Sequence, residues 1–317
     1  MRTAVVGARL STTSEGLWLT AALAGVSRLP AVLKVRPIGD VDGIVADHPG
    51  LAVLEEAGVC YGGVLDPDVA DWLLTLGRPD IELDIMVSRP DGSSDRLVGP
   101  PPVFEAPQDS VEAAGALGRW HEREPPQRAA ALCRRGRWWV AAARMWHGGE
   151  DPIDEVVVSP LGQTSPAGAV NDILGPGTPA QFHGINIEST VLEAIITDWQ
   201  AHPDTDVVTA LVEAGLTVAQ ARIVAAVGDA TATRAVVTAV EYSVDGASPP
   251  IAGISVVDTL VGRVLISTCE GPDGRAWTML FPGTVQRVAT GVEELLARLP
   301  SGRDWVTHYR IRQFDTH

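Results

Sequence analysis

The chain has 317 residues, 45% of them hydrophobic, and a formal net charge of −16. This size and composition are typical of a globular protein with a large core and about two domains, and they exclude a disordered chain. The charge argues against a nucleic-acid partner, which requires a basic stripe. Its simplest effect is to keep the protein soluble and monomeric.

No apolar run reaches the roughly 18 residues that a membrane span requires. The N-terminal segment lacks the apolar centre and the cleavage site of a signal peptide. We therefore expect a cytoplasmic protein that does not insert into membranes. Cys60, Cys133 and Cys269 are far apart in the sequence, which favours free buried thiols over a disulfide or a metal site.

The first half of the chain predicts helices followed by strands. Thr12 and Glu15 have the spacing of a capping box, which predicts a helix over residues 12–25. The next predicted elements are an extended segment at 29–37, a helix at 40–58 that is broken at His48 and Pro49, a helix at 66–76 that stops at Gly77, a strand at 81–88, a hairpin at 132–146, a strand at 154–160 and a helix at 165–175.

A long proline-rich loop at 89–128 separates two of these strands. It contains seven prolines and four glycines. Loops of this length within a compact domain are usually functional or disordered. Residues 109–120 could form a short helix that carries Leu117 and Trp120, and apolar residues on a polar loop suggest a docking element. A mobile insertion without a role is the alternative.

The second half repeats the order of elements in the first. Residues 182–200 link the halves, and Ser189 or Thr190 is expected to cap a helix within this segment. Two helices at 206–227 meet near Gly215, with Thr217 as the cap of the second. The following elements are a strand at 233–244, a hairpin at 252–269, a strand at 276–281 and a helix at 284–299.

Two copies of helix–strand–hairpin–strand–helix predict a quasi-twofold α+β protein with a largely antiparallel sheet. The halves would be residues 1–180 and 181–317. Such a sheet is a surface for holding a partner, and it contains no phosphate loop.

The sequence contains no recognisable catalytic or cofactor motif. Its seven histidines are isolated, and H-E-x-x-H, G-x-S-x-G and Walker A patterns are absent. Residues 175–180, GPGTPA, mimic a dinucleotide fingerprint. They follow a helix and contain two prolines, which would spoil the required turn.

Three acidic residues, Asp80, Glu82 and Asp84, alternate along one predicted strand and therefore share a face. We expect the solvated face of a half-buried strand. A cation site is the alternative.

Trp138 and Trp139 follow the basic stretch Arg134-Arg135-Gly136-Arg137. Adjacent strand residues point to opposite faces, so only one of the two indoles can enter the core. The other indole is either a structural feature of the hairpin or an aromatic contact on a binding face.

Stretches along nearly the whole chain resemble, in the right order, a known family. They lie at residues 16–37, 48–59, 66–88, 134–144, 255–267, 281–284 and 297–305. Together they resemble the EspG family, the cytosolic chaperones of ESX (type VII) secretion systems. The family's fold is a quasi-twofold sheet flanked by two helical bundles, as the repeat predicts. The loop at 89–128 and the tail after residue 307 depart from the family's pattern.

The resemblance implies a non-enzymatic protein without a cofactor. It would bind the apolar tip of the PPE protein in a PE–PPE heterodimer, prevent its aggregation and keep the pair ready for export. The implied surface comprises residues 89–128, the helices at 206–227, and the strand and loop near 234–250. The candidate contact residues within it are Leu117, Trp120, Leu211, Leu216, Arg234, Tyr242, Val244 and Asp245.

Two other classes of function compete with this interpretation. The protein could be an adaptor with another partner, or could pair with itself through the sheet. It could also be an enzyme without a recognisable motif that uses the acidic face of residues 80–84. We expect the free protein to be a monomer or a weak dimer.

Overall fold

The computed structural model describes residues 4–5, 9–35, 48–88, 127–147, 153–202, 204–229 and 231–310. The chain divides into two compact units, Met1–Thr164 and Ser165–His317. The division at 180 and 181 that we predict for the internal repeat stays a prediction. No described helix is both long and apolar enough to cross a membrane.

The first unit contains an antiparallel sheet with the strand order β1-β2-β8-β7-β6-β5. Its strands are β1 (Ala4–Val5), β2 (Leu10–Thr12), β5 (Ile81–Ser88), β6 (Gln127–Arg135), β7 (Trp138–His147) and β8 (Ile153–Gly162). Its helices are α1 (Ser14–Leu23), α2 (Gly50–Glu56) and α3 (Pro67–Gly77), and β3 (Cys60–Tyr61) with β4 (Val64–Leu65) forms a separate hairpin.

Small side chains on the sheet let the helices approach one of its faces. Ala131 pairs with Ala142, which pairs with Val158, and all three belong to a core cluster with residues of α1 and α3. The Sγ atom of Cys133 lies 4.0 Å from the carbonyl oxygen of Leu76 in α3. The alternating pattern of β6 and β7 therefore places one face of this sheet in the core of the first unit.

Two local predictions in the first unit are wrong. Thr12 is a buried residue of β2, and the cap of α1 is Thr13, whose hydroxyl accepts a hydrogen bond from the N–H of Gly16. The segment expected to be extended at 29–37 forms a 3₁₀ turn at Ala31–Leu33. The guanidinium of Arg144 donates to the carbonyls of Leu33 (2.8 Å) and Lys34 (3.0 Å), which holds that turn on the sheet.

The helix predicted at 40–58 is described only from Gly50 to Glu56, because residues 36–47 lie outside the described residues. Most of the loop at 89–128 lies outside them as well. Residues 127 and 128 are the first two residues of β6.

The second unit contains an antiparallel sheet with the strand order β10-β12-β13-β14-β9, and β11 pairs with β10. Its strands are β9 (Ile185–Glu188), β10 (Thr233–Ser243), β11 (Gly246–Ala247), β12 (Ile251–Thr259), β13 (Gly262–Glu270) and β14 (Ala276–Pro282). Its helices are α4 (Pro166–Leu174), α5 (Ser189–Ala201), α6 (Val207–Glu213), α7 (Val218–Gly228) and α8 (Val285–Leu296), and a 3₁₀ helix covers Gly302–Thr307.

Helices cover both faces of this second sheet. On one face, Val257 and Val264 belong to a core cluster with residues of α6 and α7. On the opposite face, a Cβ on Gly291 of α8 would lie 3.3 Å from side-chain atoms of Ile254 and Leu265. Glycine at this position lets α8 pack closely on the sheet.

The predicted α+β class and the largely antiparallel strand pairing are confirmed. In both halves the elements follow the predicted order of helix, strand, hairpin, strand and helix. The quasi-twofold relation between the halves stays a prediction. The cap of α5 differs from the expectation: its N-cap residue is Glu188, which makes no side-chain capping bond, and Ser189 is the first helical residue.

A buried arginine organises the second unit. Arg263 is 5% exposed, and its guanidinium donates to both carboxylate oxygens of Asp258, at 2.6 and 2.9 Å. It also donates to the carbonyls of Leu174 (3.4 Å) and Gly175 (2.9 Å) at the end of α4. A Cβ on Gly177 would lie 2.4 Å from its Cζ atom. Gly177 of GPGTPA thus makes room for a protein side chain.

We expect Gly253→Ala to destabilise the protein by about 3 kcal/mol or more. A Cβ at this position would lie 1.6 Å from the carbonyl oxygen of Val237, a backbone atom beside the register shift between β10 and β12. The matched control is Gly168→Ala in α4, where a Cβ meets no atom within 4 Å. Urea unfolding should place the control within about 1 kcal/mol of the wild type. Equal stability of the two variants would contradict this packing.

Arg263→Lys should cost about 3 kcal/mol, because lysine keeps the charge but loses the planar fork that binds Asp258 and the two carbonyls. Arg275→Lys is the control. Arg275 is exposed and pairs with Glu188 at 3.1 Å, and its replacement should change stability by less than about 0.5 kcal/mol. Urea unfolding of both variants tests this, and a small effect at Arg263 would show that the buried fork is dispensable.

Candidate protein-binding surface

The helices α5, α6 and α7 form a helical group on one face of the second sheet, and capping residues fix the starts of α6 and α7. Asp206 accepts hydrogen bonds from the N–H groups of Val208 (3.1 Å) and Thr209 (3.3 Å). Hydrogen bonds from Thr209 lower the pKa of Asp206 below its ordinary value. Thr217 and Gln220 form the capping box of α7, which confirms Thr217 as its cap.

The turn between α6 and α7 exposes small apolar side chains. Val212 is 36% exposed and Val218 is 51% exposed, and Ala214 and Ala219 between and beside them are also exposed. Exposed apolar residues that lie this close in sequence are a feature of protein-binding surfaces. We call residues 212–219 the helical turn.

Two of the predicted contact residues, Leu211 and Leu216, are buried beneath the helical turn. Leu211 is fully buried and Leu216 is 8% exposed, and both belong to the core cluster under the helical group. In the present conformation they hold the helical turn in place, and the surface atoms come from their neighbours Val212 and Val218.

Arg234 connects β10 with the end of α7. Its guanidinium donates to the carbonyls of Val227 (2.5 Å) and Asp229 (2.9 Å). Burial lowers the pKa of Arg234 from its ordinary value, and the charge of Asp229 opposes this effect. The side chain therefore caps a helix end, which is a favourable position for a cation.

The hairpin of β10 and β11 carries the remaining predicted residues. Val244 and Asp245 form its exposed tip, and Val244 is 76% exposed. Tyr242 is 3% exposed, and the Nε2 atom of His308 lies 2.7 Å from its carbonyl oxygen. We call residues 244 and 245 the hairpin tip.

The predicted contacts thus lie at three places in the second unit: under the helical turn, at the end of α7 and at the hairpin tip. Their assignment as contact residues stays a prediction. Leu117 and Trp120 lie outside the described residues. Sequence reasoning missed Val212 and Val218. The signal in the sequence is the short spacing between the capping residues Asp206 and Thr217, which indicates a short first helix and a turn before the second.

The expectation that Asp80, Glu82 and Asp84 form a solvated face is wrong. Asp80 is 5% exposed and Glu82 is 4% exposed. Glu82 pairs with Cys133 across the strands, so these carboxyl groups point to the face of the sheet that the helices of the first unit cover. The sequence alternates, but both faces are buried at the start of β5, and only its end, at Met86 and Ser88, is exposed.

Asp84 holds its proton unusually tightly. Burial, the charge of Glu82 and a hydrogen bond with Glu82 raise the pKa of Asp84 to about 8, while Arg28 opposes the shift. Burial, followed by Glu82 and Asp84, also raises the pKa of the Cys133 thiol well above its ordinary value. A raised pKa alone does not make a catalytic site. The alternative of an enzyme required such a carboxyl in a deep pocket, whereas Asp84 is half-buried on β5 beside Glu82.

A shallow pocket of about 240 Å³ lies elsewhere, in the second unit, and is lined by Asn186, Cys269, Trp277 and Met279. Cys269 is exposed, so the expectation of a buried thiol is wrong for this cysteine, whereas Cys60 and Cys133 are buried and free. Among the described residues, no group of three or more His, Cys, Asp or Glu is placed to hold a metal ion.

One of the two adjacent tryptophans is buried and the other is exposed, as predicted. Trp139 is 3% exposed and Trp138 is 57% exposed. One indole therefore enters the core, and the other lies at the surface beside the turn between β6 and β7.

Comparison with known proteins identifies relatives along nearly the whole chain. A sequence model of the EspG family matches residues 13–99 and 102–294. The chain is 28% identical to the ESX-5 secretion-associated protein EspG5 of Mycobacterium marinum, over 94% of this chain and 95% of that protein. It is 26% identical to the ESX-2 secretion-associated protein EspG2 of Mycobacterium tuberculosis, over 95% of this chain and 99% of that protein.

A solved structure shares the fold. The type VII secretion system chaperone EspG5 of Mycobacterium tuberculosis, solved in complex with the PE25–PPE41 dimer, matches with a TM-score of 0.70. The match covers 95% of this chain and 99% of that chain, at 24% sequence identity.

The buried acidic pair in the first unit predicts a pH effect on stability. Because the folded-state pKa of Asp84 is raised, the native protein keeps a proton that the unfolded chain has lost, and stability falls as pH rises from about 4 to about 8. Asp84→Asn removes this effect and can still donate to Glu82. The variant should gain stability over the wild type with rising pH, by at most about 5 kcal/mol at pH 8.

Urea unfolding of both proteins at a series of pH values between these limits measures the gain. Asp304→Asn, at an exposed position, is the control and should show no such trend. A constant difference between Asp84→Asn and the wild type would mean that Asp84 ionises normally in the native state.

Proposed function

The chain belongs to the EspG family, and on this basis we propose that it is a chaperone of a type VII (ESX) secretion system. The observation that carries the proposal is the extent of the similarity. The family's pattern covers residues 13–99 and 102–294, and the ESX-5 and ESX-2 secretion-associated relatives align over 94% and 95% of the chain.

The client we propose is a PE–PPE heterodimer, bound at the apolar tip of its PPE protein. In support, the solved EspG5 chain of the same fold is in complex with a PE25–PPE41 dimer. An exposed apolar tip promotes aggregation, and a matched apolar surface that covers it keeps the pair soluble.

The surface we propose for this client combines the helical turn and the hairpin tip, with a further contribution from Leu117 and Trp120. Val218 and Val244 are 51% and 76% exposed, so their side chains are free to be buried on binding. Arg234 supports this surface from the end of α7, and Asp245 supplies a charge at its rim. We propose a cytoplasmic, non-enzymatic protein, because a chaperone must meet its client before export.

Co-expression with PE–PPE pairs from the same genome tests the function. A tag on this chain should recover one specific pair in a 1:1:1 complex. Recovery of no pair by a well-folded protein would overturn the proposed client. Recovery of this chain alone as a stable dimer would favour self-pairing.

Charge substitutions locate the surface. Val218→Glu and Val244→Glu should each lower the affinity for the recovered pair at least about tenfold, because a charge would be buried against an apolar tip. Val64→Glu is the matched control: this valine of the first unit is 71% exposed, and its replacement should leave binding unchanged. Isothermal calorimetry with the purified pair measures all three. Unchanged binding by both test variants would place the client on another surface.

A further inference from the structure

The turn between β6 and β7 presents two arginines and a tryptophan at one tip. Arg135 pairs with Trp138, and Gly136 and Arg137 form the two-residue connection. Gly136 has a φ of +63°, whereas Arg137 does not have a positive φ. This combination is typical of a type II′ turn with glycine in its first central position, which suits the twist of a hairpin. We call residues 135–138 the arginine turn.

A buried carboxylate fixes the arginine turn from the neighbouring strand. The N–H of Gly136 donates to the Oδ2 atom of Asp80 at 2.7 Å, and the N–H of Asp80 donates to the carbonyl of Arg134 at 2.7 Å. Asp80 is 5% exposed, so water competes little for these bonds. A turn held in this way loses little conformational entropy when it binds a partner.

The arginine turn is a basic site on an acidic protein. The chain has 24 lysines and arginines against 40 aspartates and glutamates. Arg135 and Arg137 are both exposed, and within the described part of the chain no carboxylate pairs with either. The field of such a pair extends over about 8 Å at physiological salt, so the turn attracts anionic groups locally even though the whole chain is negative.

Trp138 adds apolar surface to this basic tip. More than half of its surface is exposed, and its ring lies beside Gly162 of β8. Tryptophan and arginine are the residues most enriched at the energetic centres of protein interfaces. An indole beside two guanidinium groups is suited to a ligand with carboxylates and an apolar side chain.

We propose that the arginine turn is a docking site for an acidic peptide segment of a partner protein. Carboxylates of the segment bind the guanidinium groups of Arg135 and Arg137, and an apolar or aromatic side chain packs on Trp138. The proposal is independent of the client proposed above, because it rests on residues of the first unit.

The chemistry favours a peptide over a nucleic acid. Two arginines neutralise at most two phosphates, whereas specific nucleic-acid binding requires a basic stripe and a favourable overall charge. A short acidic segment needs only a few paired carboxylates, and arginine binds each one in a planar, bidentate manner.

Fluorescence anisotropy with a labelled acidic peptide, EEFEFEE, tests the proposal on the full-length protein. We expect binding at about 20 mM salt that weakens steeply toward about 200 mM. Arg135→Glu combined with Arg137→Glu should lower the affinity at least about tenfold, and the corresponding pair of lysine substitutions should retain part of it. Trp138→Ala should lower it about threefold or more.

Arg222→Glu combined with Arg303→Glu is the matched control. Both arginines are exposed, and their replacement changes the net charge by the same amount. The control should bind like the wild type, and thermal unfolding should show that every variant is folded. Equal loss in both double variants, or no binding by the wild type, would overturn the proposal.

Three further measurements test for other occupants. Equal binding of a basic peptide, KKFKFKK, would mean that the site recognises only apolar side chains. Tighter binding of an oligothymidylate through the same arginines would make it a nucleic-acid site. Sedimentation of the free protein should show no dimer that the turn substitutions dissociate, since such a dimer would make a second copy the occupant. Each of these results would contradict the proposal.

Discussion

The buried guanidinium of Arg263 is the constraint on which the second unit depends. A charge in a core is tolerated only when its hydrogen bonds are satisfied, and here Asp258 and the last carbonyls of α4 satisfy them. The glycines at 177 and 283 leave the space that the side chain occupies, since a Cβ on either would lie less than 2.5 Å from an Arg263 atom. One side chain thus joins the end of α4, the strands β12 and β13, and the start of the segment leading to α8.

In the first unit, two carboxyl groups at the start of β5 have opposite consequences: Asp80 directly precedes the strand, and Asp84 lies within it. Asp80 accepts a hydrogen bond from the turn between β6 and β7 and so fixes its shape. Asp84 has a buried oxygen, Oδ1, that lacks a hydrogen-bond partner among the described residues, and its neighbour Glu82 makes ionisation costly. Asp80 therefore stabilises the local structure, whereas Asp84 lowers the stability of the protein at neutral pH. A protein tolerates such a destabilising group where the rest of its core is well packed.

The periodicity of the sequence predicts most of the helices and strands. Which of their faces are buried depends on contacts between distant parts of the chain. The hairpin at 132–146 and the helices near Gly215 follow from local pattern, turn residues and caps. The burial of Asp80 and Glu82 does not, because alternation says which residues share a face but not whether that face meets solvent. Within the segment at 29–37, Ala31–Leu33 forms a 3₁₀ turn, and Arg144, more than a hundred residues away, binds the carbonyls of Leu33 and Lys34. At the candidate site, the sequence pattern did not distinguish Leu211, which is in the core, from its neighbour Val212, which is at the surface.

The surface proposed for the client has to bind an apolar tip without binding copies of itself. At the helical turn and the hairpin tip, exposed valines lie next to acidic residues: Val212 adjoins Glu213, and Val244 adjoins Asp245. Each exposes little apolar area, and the chain's charge of −16 opposes self-association. A partner with a larger apolar tip gains binding free energy because it covers several of these positions at once. A second copy of the chain would bring its own acidic groups to the contact, and like charges repel. The negative net charge also distinguishes the arginine turn from the rest of the protein. Its basic and aromatic groups select an acidic ligand that carries an apolar side chain.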